Sequence, residues 1–110
     1  MSEEVERQIQ EAGANNPRIT PAQIEALKAR LVYTDPVLVE GTTTIVVHAF
    51  LDGKYRVASG FAACVDPANF RQHIGEGIAR RNAERDAEEA LWGYEGYRLY
   101  RSSYEPAQPE

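Results

Sequence analysis

An α+β fold, with a short antiparallel sheet centred on one β-hairpin and packed by two or three helices including one long C-terminal helix, is what this 110-residue sequence predicts. Three observations lead there. Thr20-Pro21 followed by Gln23 is a helix start, and Asp52-Gly53 sits between two β-rich apolar runs. Asp66-Pro67 then opens a long stretch whose apolar residues recur at helical spacing. With 43% hydrophobic and 26% charged residues the composition is that of an ordinary globular chain, and residues 1–110 are assigned to one domain with one core.

Taken in order, residues 1–12 predict a short acidic helix with Val5, Ile9 and Ala12 on one side, marginal by itself at that length. Residues 13–17 read as a linker. Thr20 is placed as N-cap, Pro21 fills the first helical position, Gln23 completes a capping box and Ile19 with Ile24 forms a staple over it. That helix is expected to run to about Leu31, with Ile24, Leu27 and Leu31 as its buried stripe. Asp35-Pro36 ends it, and Gly41 precedes a strand over 42–51.

Asp52-Gly53 predicts a two-residue hairpin loop, with a return strand from Lys54 to about Cys64. Such a loop pairs Leu51 with Lys54, Phe50 with Tyr55 and His48 with Val57. One face then carries Val46, His48, Phe50, Tyr55, Val57 and Phe61. The other carries Ile45, Val47, Ala49, Leu51, Lys54, Arg56 and Ala58. Both are apolar enough to require cover, from helices or from another chain.

Asp66-Pro67 predicts a second N-cap and the start of a helix reaching Trp92. Its apolar residues lie on two tracks, Phe70, Ile74 and Ile78 and then Ala79, Ala83, Ala87 and Leu91, as in a helix that meets two surfaces or breaks between them. Beyond Gly93 the aromatics at 94–100 suggest a third short strand, and residues 102–110 a frayed tail.

The formal charge of −5 disfavours a surface that grips nucleic acid through its overall field. A single cysteine, Cys64, excludes an internal disulfide and suits a reducing compartment, and the two histidines and one cysteine have no metal-ligand spacing. No metal or other cofactor is implied. The acidic start is unlike a secretory signal and the longest apolar run, 45–51, is far shorter than a membrane span, so a cytoplasmic protein is expected.

A resemblance adds to this. Arg18-Ile19-Thr20-Pro21 with Ile24-Glu25, the Asp52-Gly53 hairpin with Tyr55 and Val57, and the run Ala63-Cys64-Val65-Asp66-Pro67-Ala68-Asn69-Phe70 form an ordered set. It continues through Ile74-Gly75, Ile78-Ala79, Asn82-Ala83, Leu91-Trp92 and Glu95-Gly96-Tyr97. In these pieces, spanning about 18–99, the chain resembles the small tailed-phage proteins of the gene-forty-nine/gene-sixty-six type, named after members in a coliphage and a Shigella phage. The resemblance implies a phage or prophage origin, an infected or lysogenic bacterial host, and an accessory role without an assigned enzymatic activity. Phe61-Ala62-Ala63 departs from that family, which tends to carry a glutamate and a serine before the cysteine, and residues 84–88 look like an insertion before the tryptophan.

Among candidate chemistries, Cys64 with His48 or His73 would be the pieces of a thiol hydrolase, but a cysteine ending an apolar strand reads as a small hydrophobe and His48 as a hydrogen-bonded core or interface residue. No enzyme is expected. The stretch after Asp66 gathers Asn69, Arg71, His73, Arg80 and Arg81 near a helix start, a set suited to a small anionic ligand. The competing reading pairs Arg80, Arg81 and Arg85 with the acids around them. At the other end Trp92, Tyr94, Tyr97, Arg98, Tyr100 and Arg101 have the composition of a protein-binding hot spot. The expectation is a non-enzymatic, homo-oligomeric binding module that acts against host defence by sequestering a nucleotide-derived signal or a host protein. The alternative is a nucleic-acid-associated protein of phage replication or transcription.

Overall fold

The structure, a computed structural model, describes residues 3–11 and 17–104. In chain order it has helix α1 (Glu3–Glu11), helix α2 (Pro21–Lys28), strands β1 (Leu31–Tyr33), β2 (Val37–Leu38), β3 (Thr44–Leu51) and β4 (Tyr55–Ala63), a 3-10 turn (Pro67–Asn69) and helix α3 (Gln72–Ser103). Most of the expected linker, the packing of Ile9 and Ala12, and the tail from 105 onward lie outside the described residues.

The capping box is present in both directions. Gln23 N–H donates to Thr20 Oγ1 at 3.3 Å and Thr20 N–H donates to Gln23 Oε1 at 2.9 Å. The helix stops at Lys28, not Leu31. Leu31 instead begins β1, because β3 offers an unpaired edge that accepts Leu31, Val32 and Tyr33 opposite Leu51, Phe50 and Ala49. Thr34 prolongs this contact, with its N–H donating to His48 O and its Oγ1 accepting from His48 N–H, both at 2.9 Å. After Pro36 the chain returns to the same edge as β2, Val37 opposite Val46 and Leu38 opposite Ile45. β1 and β2 thus lie end to end along one side of β3, and β4 runs antiparallel along the other.

The hairpin corrects the expected register. Asp52 and Gly53 do adopt positive φ, 57° and 71°, and Lys54 N–H donates to Leu51 O at 3.0 Å. Lys54 nevertheless stays in the loop, so Leu51 faces Tyr55 and Phe50 faces Arg56. A bulge then inserts Val57, and Ala49 faces Ala58 and His48 faces Ser59. Two single-residue offsets add up to two, which restores the side-chain parity of the rest of the hairpin. At the bulge itself Tyr55 moves to the helix side, Arg56 to the opposite side, and Val57 into the core at 5% exposure. The loop is held from outside: Arg30 grips Asp52 through two hydrogen bonds of 2.9 and 2.6 Å, and Asp52 N–H donates to Arg30 O at 2.9 Å.

Helix α3 is one unbroken element of 32 residues, about 48 Å long at 1.5 Å per residue. It passes straight through the segment where a third strand was expected. Its Ala79, Ala83, Ala87 and Leu91, spaced four apart, are buried against the sheet, and Ile24 of α2 wedges beside them. Lys28 Nζ ties α2 to α3 by donating to Glu88 Oε1 at 2.8 Å. Glu6 of α1 accepts from Arg18 Nε at 2.7 Å. The other face of the sheet, bearing Val32, Val46, His48, Phe50 and Phe61 by register, carries no helix among the described residues.

Candidate functional site

The chain between β4 and α3 folds by short-range chemistry. Asp66 has extended backbone and its Oδ1 accepts from Ala68 N–H at 3.0 Å, while Pro67 supplies a fixed φ for the first position. Asp66 therefore caps the 3-10 turn and not α3, which corrects the expected start of the long helix. Arg71, extended at φ −132°, is the residue before α3 and supplies no side-chain cap. Its guanidinium turns back, donating from Nη1 to Phe70 O at 2.8 Å and to Ala68 O at 3.3 Å. The first turn of α3 thus keeps its positive dipole end without a carboxylate cap.

Beside this turn lies a cleft of about 210 Å³. Its walls are Ala62, Ala63 and Cys64 from the strand side and Phe70, Ile74 and Ile78 from the helix side, with Asn69 and Arg71 among its polar lining residues. Gly75 lets the helix settle over the sheet, since a Cβ there would approach Ile45 Cδ1 to 2.8 Å. The Cys64 thiol donates to Asp66 O at 3.1 Å, and Thr43 Oγ1 donates to Cys64 O, so strand end and turn are stitched together. The cleft is a mainly apolar slot with cationic and amide groups at its edge. Alanines 62 and 63 make its strand wall apolar in this chain.

Of the predicted site residues, Asn69 and Arg71 line the cleft and the other three do not. His73 is exposed in the first turn of α3. Arg80 stands 3.9 Å over the ring of Tyr33 and 4.0 Å from Glu84, and Arg81 is exposed further along the helix. Neither histidine of the thiol-hydrolase reading is among the residues that line the cleft with Cys64. His48 is on the helix-free face, where its Nδ1 is 2.6 Å from Ser59 Oγ. Among the described residues no group of three or more histidine, cysteine or acidic side chains gathers to hold a metal ion. No described helix is long and apolar enough to cross a membrane.

Ile74, Ile78, Ala62, Ala63 and Thr43 were not foreseen as lining a site. The change of apolar track along α3 was the signal for two of them: the alanine track faces the sheet, leaving Ile74 54% and Ile78 37% exposed along the cleft.

The phage protein (N4 Gp49/phage Sf6 gene 66) family matches residues 19–102, more than three quarters of the chain. The chain belongs to this family. The matched span takes in α2, the whole sheet, the Asp66 turn and all but the last residue of α3, so the cleft falls inside the shared part of this family member. Neither the curated proteins nor the solved structures returned a match.

Proposed function

We propose that this phage protein is a non-enzymatic, oligomeric binding module whose ligand enters the cleft between Cys64, Phe70 and Arg71. The observation that carries the reading is the composition of that cleft: an apolar slot beside an aromatic ring, edged by Arg71, Asn69 and the uncapped first turn of α3. A ligand with a flat apolar part and an anionic part fits such a place. The ring would lie against Phe70 and Ile74, and the anion would meet Arg71 and the helix dipole. Nucleotide-derived molecules have that build.

In its most concrete form, the protein withholds a nucleotide-derived defence signal from the infected cell, in the cytoplasm of the host. At about 210 Å³ the cleft is smaller than the ~300–1,000 Å³ of a whole drug-sized pocket. It accommodates one ring and its phosphate, with the rest of the ligand outside or against another copy.

Calorimetric titration with cyclic dinucleotides, alongside Arg71→Glu, tests this. Micromolar binding by the natural chain, lost in the variant with unchanged circular dichroism, is the expected result. Absence of heat with every nucleotide tried would sink the ligand reading. Gel retardation of DNA or RNA that weakens steeply between two salt concentrations would favour the nucleic-acid alternative. Capture of a host protein dependent on Tyr97 or Tyr100 would move the site to the end of α3, where both are more than half exposed.

A further inference from the structure

We propose that the helix-free face of the sheet is the surface through which two copies of this chain associate, sheet against sheet. The inference rests on the oligomeric reading above and names its interface. Strand register places Val32, Val37, Val46, Phe50 and Phe61 on this face, with His48 and Ser59 at its centre. Val32, Val37 and Phe61 are 53%, 55% and 56% exposed, although none of them lies in a loop. An antiparallel sheet with one wet face ordinarily alternates apolar inward and polar outward. Here five large apolar side chains, Val32, Val37, Val46, Phe50 and Phe61, stand in the outward rows among Thr44, His48, Ser59 and Arg56.

The size of the face fits a dimer. β3 has eight residues. At ~3.3 Å per residue and ~4.8 Å between strands, a face three strands wide projects roughly 26 by 14 Å. Side-chain relief about doubles that, to on the order of 700 Å² for apolar and polar side chains together, which approaches the ~800 Å² per partner of a standard interface.

Charge selects a second copy over an unrelated occupant. The chain carries 17 acidic against 12 basic residues, so two copies repel over most orientations. Within the strands this face bears no carboxylate: the carboxyl at its hairpin end, Asp52, is paired with Arg30 at 2.6 Å, and the guanidinium of Arg56 is 3.3 Å from Ser59 Oγ. It is a broad surface on which two such acidic bodies meet without opposing carboxylates. The His48 Nδ1 and Ser59 Oγ contact of 2.6 Å satisfies the polar pair at the centre within each copy, so closing the face leaves those atoms partnered. Two sheets packed this way at about 10 Å, with strands about 30° apart, would form the inner layers of a four-layer particle with α2 and α3 outside.

Light scattering on the full chain at micromolar concentration, with Val32→Asp and Phe61→Asp, tests the interface. Both sites are exposed, so the folded monomer tolerates the carboxylate, whereas a closed face does not. The expected result is an assembly larger than the 12.3 kDa chain for the natural protein, with association weakened by neither dilution to micromolar nor Tyr97→Asp, and a hundredfold or greater rise in dissociation constant for either face variant, about 2.7 kcal/mol. A 12.3 kDa natural protein overturns the oligomeric reading itself. An assembly that survives both face variants, or that Tyr97→Asp dissociates in their place, leaves oligomerisation standing and overturns this interface. If the aspartate variants fail to fold, amide shifts on diluting the natural protein decide: changes along β3 and β4 support the face, and changes confined to α3 overturn it.

Discussion

Gly60→Ala perturbs a close approach of the α3 backbone to β4. A Cβ built at Gly60 would lie 2.2 Å from Ala79 O, 2.2 Å from Ala83 N and 2.7 Å from Ala83 Cα. All three are helix backbone, so no rotamer change relieves them. To reach the ~3.5 Å of favourable carbon contact, α3 must lift by roughly 1.3 Å. That movement would also loosen Ala79, Ala83, Ala87 and Leu91, each buried to 2% exposure or less. Overpacking by one methyl typically costs ~1–3 kcal/mol, and rigid atoms on both sides place this site at the upper end, about 3 kcal/mol. Against a total of ~5–15 kcal/mol that is a large fraction, and with a urea dependence of ~1–3 kcal/mol per molar it lowers the unfolding midpoint by roughly 1–3 M. Urea unfolding followed by circular dichroism at one protein concentration is the assay. Gly93→Ala is the internal control: it lies inside the same helix with nothing within 4 Å of the new Cβ, so it should stabilise by ~0.5–1 kcal/mol. A Gly60→Ala protein within 1 kcal/mol of the natural chain would refute the close packing of α3 on β4.

Three further expectations follow from local contacts. Thr20→Ala removes the acceptor for Gln23 N–H and should cost ~1 kcal/mol in the same assay; a neutral result would mean that α2 is fixed by Ile24 alone. Arg30 hydrogen-bonded to Asp52 holds that carboxyl below its ordinary pKa of 3.8, so its contribution to stability is present above pH 3.8 and lost as pH falls through the lowered value. Asp52→Asn keeps a residue that tolerates positive φ and should flatten the acid limb of the stability profile; an unchanged limb would count against the pair. Burial raises the Tyr33 hydroxyl above 10.0, with Glu84 adding to the rise, and burial likewise raises Tyr94, with Tyr55 beside it. Their stabilising effect is complete below pH 10 and is lost as pH climbs through the raised values, so ultraviolet titration should show tyrosines lagging the rest, and Tyr33→Phe should remove one of them.

What was legible from the residues alone is what short-range chemistry can specify. Thr20, Pro21 and Gln23 state a helix start because the cap, the first-turn φ and the reciprocal hydrogen bond all lie within four residues. Asp52-Gly53 stated the turn for the same reason, and the four-residue spacing of Ala79, Ala83, Ala87 and Leu91 named the buried side of α3 before any partner was known. The phage family was legible too, from an ordered set of such local pieces.

The remaining features depend on contacts between elements distant on the chain. β1 and β2 have three and two residues, too few to show a period, and they are strands because β3 offers them an edge on either side of Asp35-Pro36. The hairpin slipped from its two-residue register because Arg30, 22 positions away, grips Asp52, and because a bulge turns Val57 into the core. The expected helix ended at Trp92 before Gly93, with Gly96 in a third strand, yet α3 continues through both glycines. Leu91 is packed under α2, and the helix stays close to Ile19, whose Cδ1 would be 3.7 Å from a Cβ at Gly96, so these contacts offset the ~1 kcal/mol that each glycine costs a helix. The cleft has the same origin. All of its lining residues but Thr43 fall within 62–78, yet it opens only because the alanine track, by taking the sheet, leaves Ile74 and Ile78 to line it.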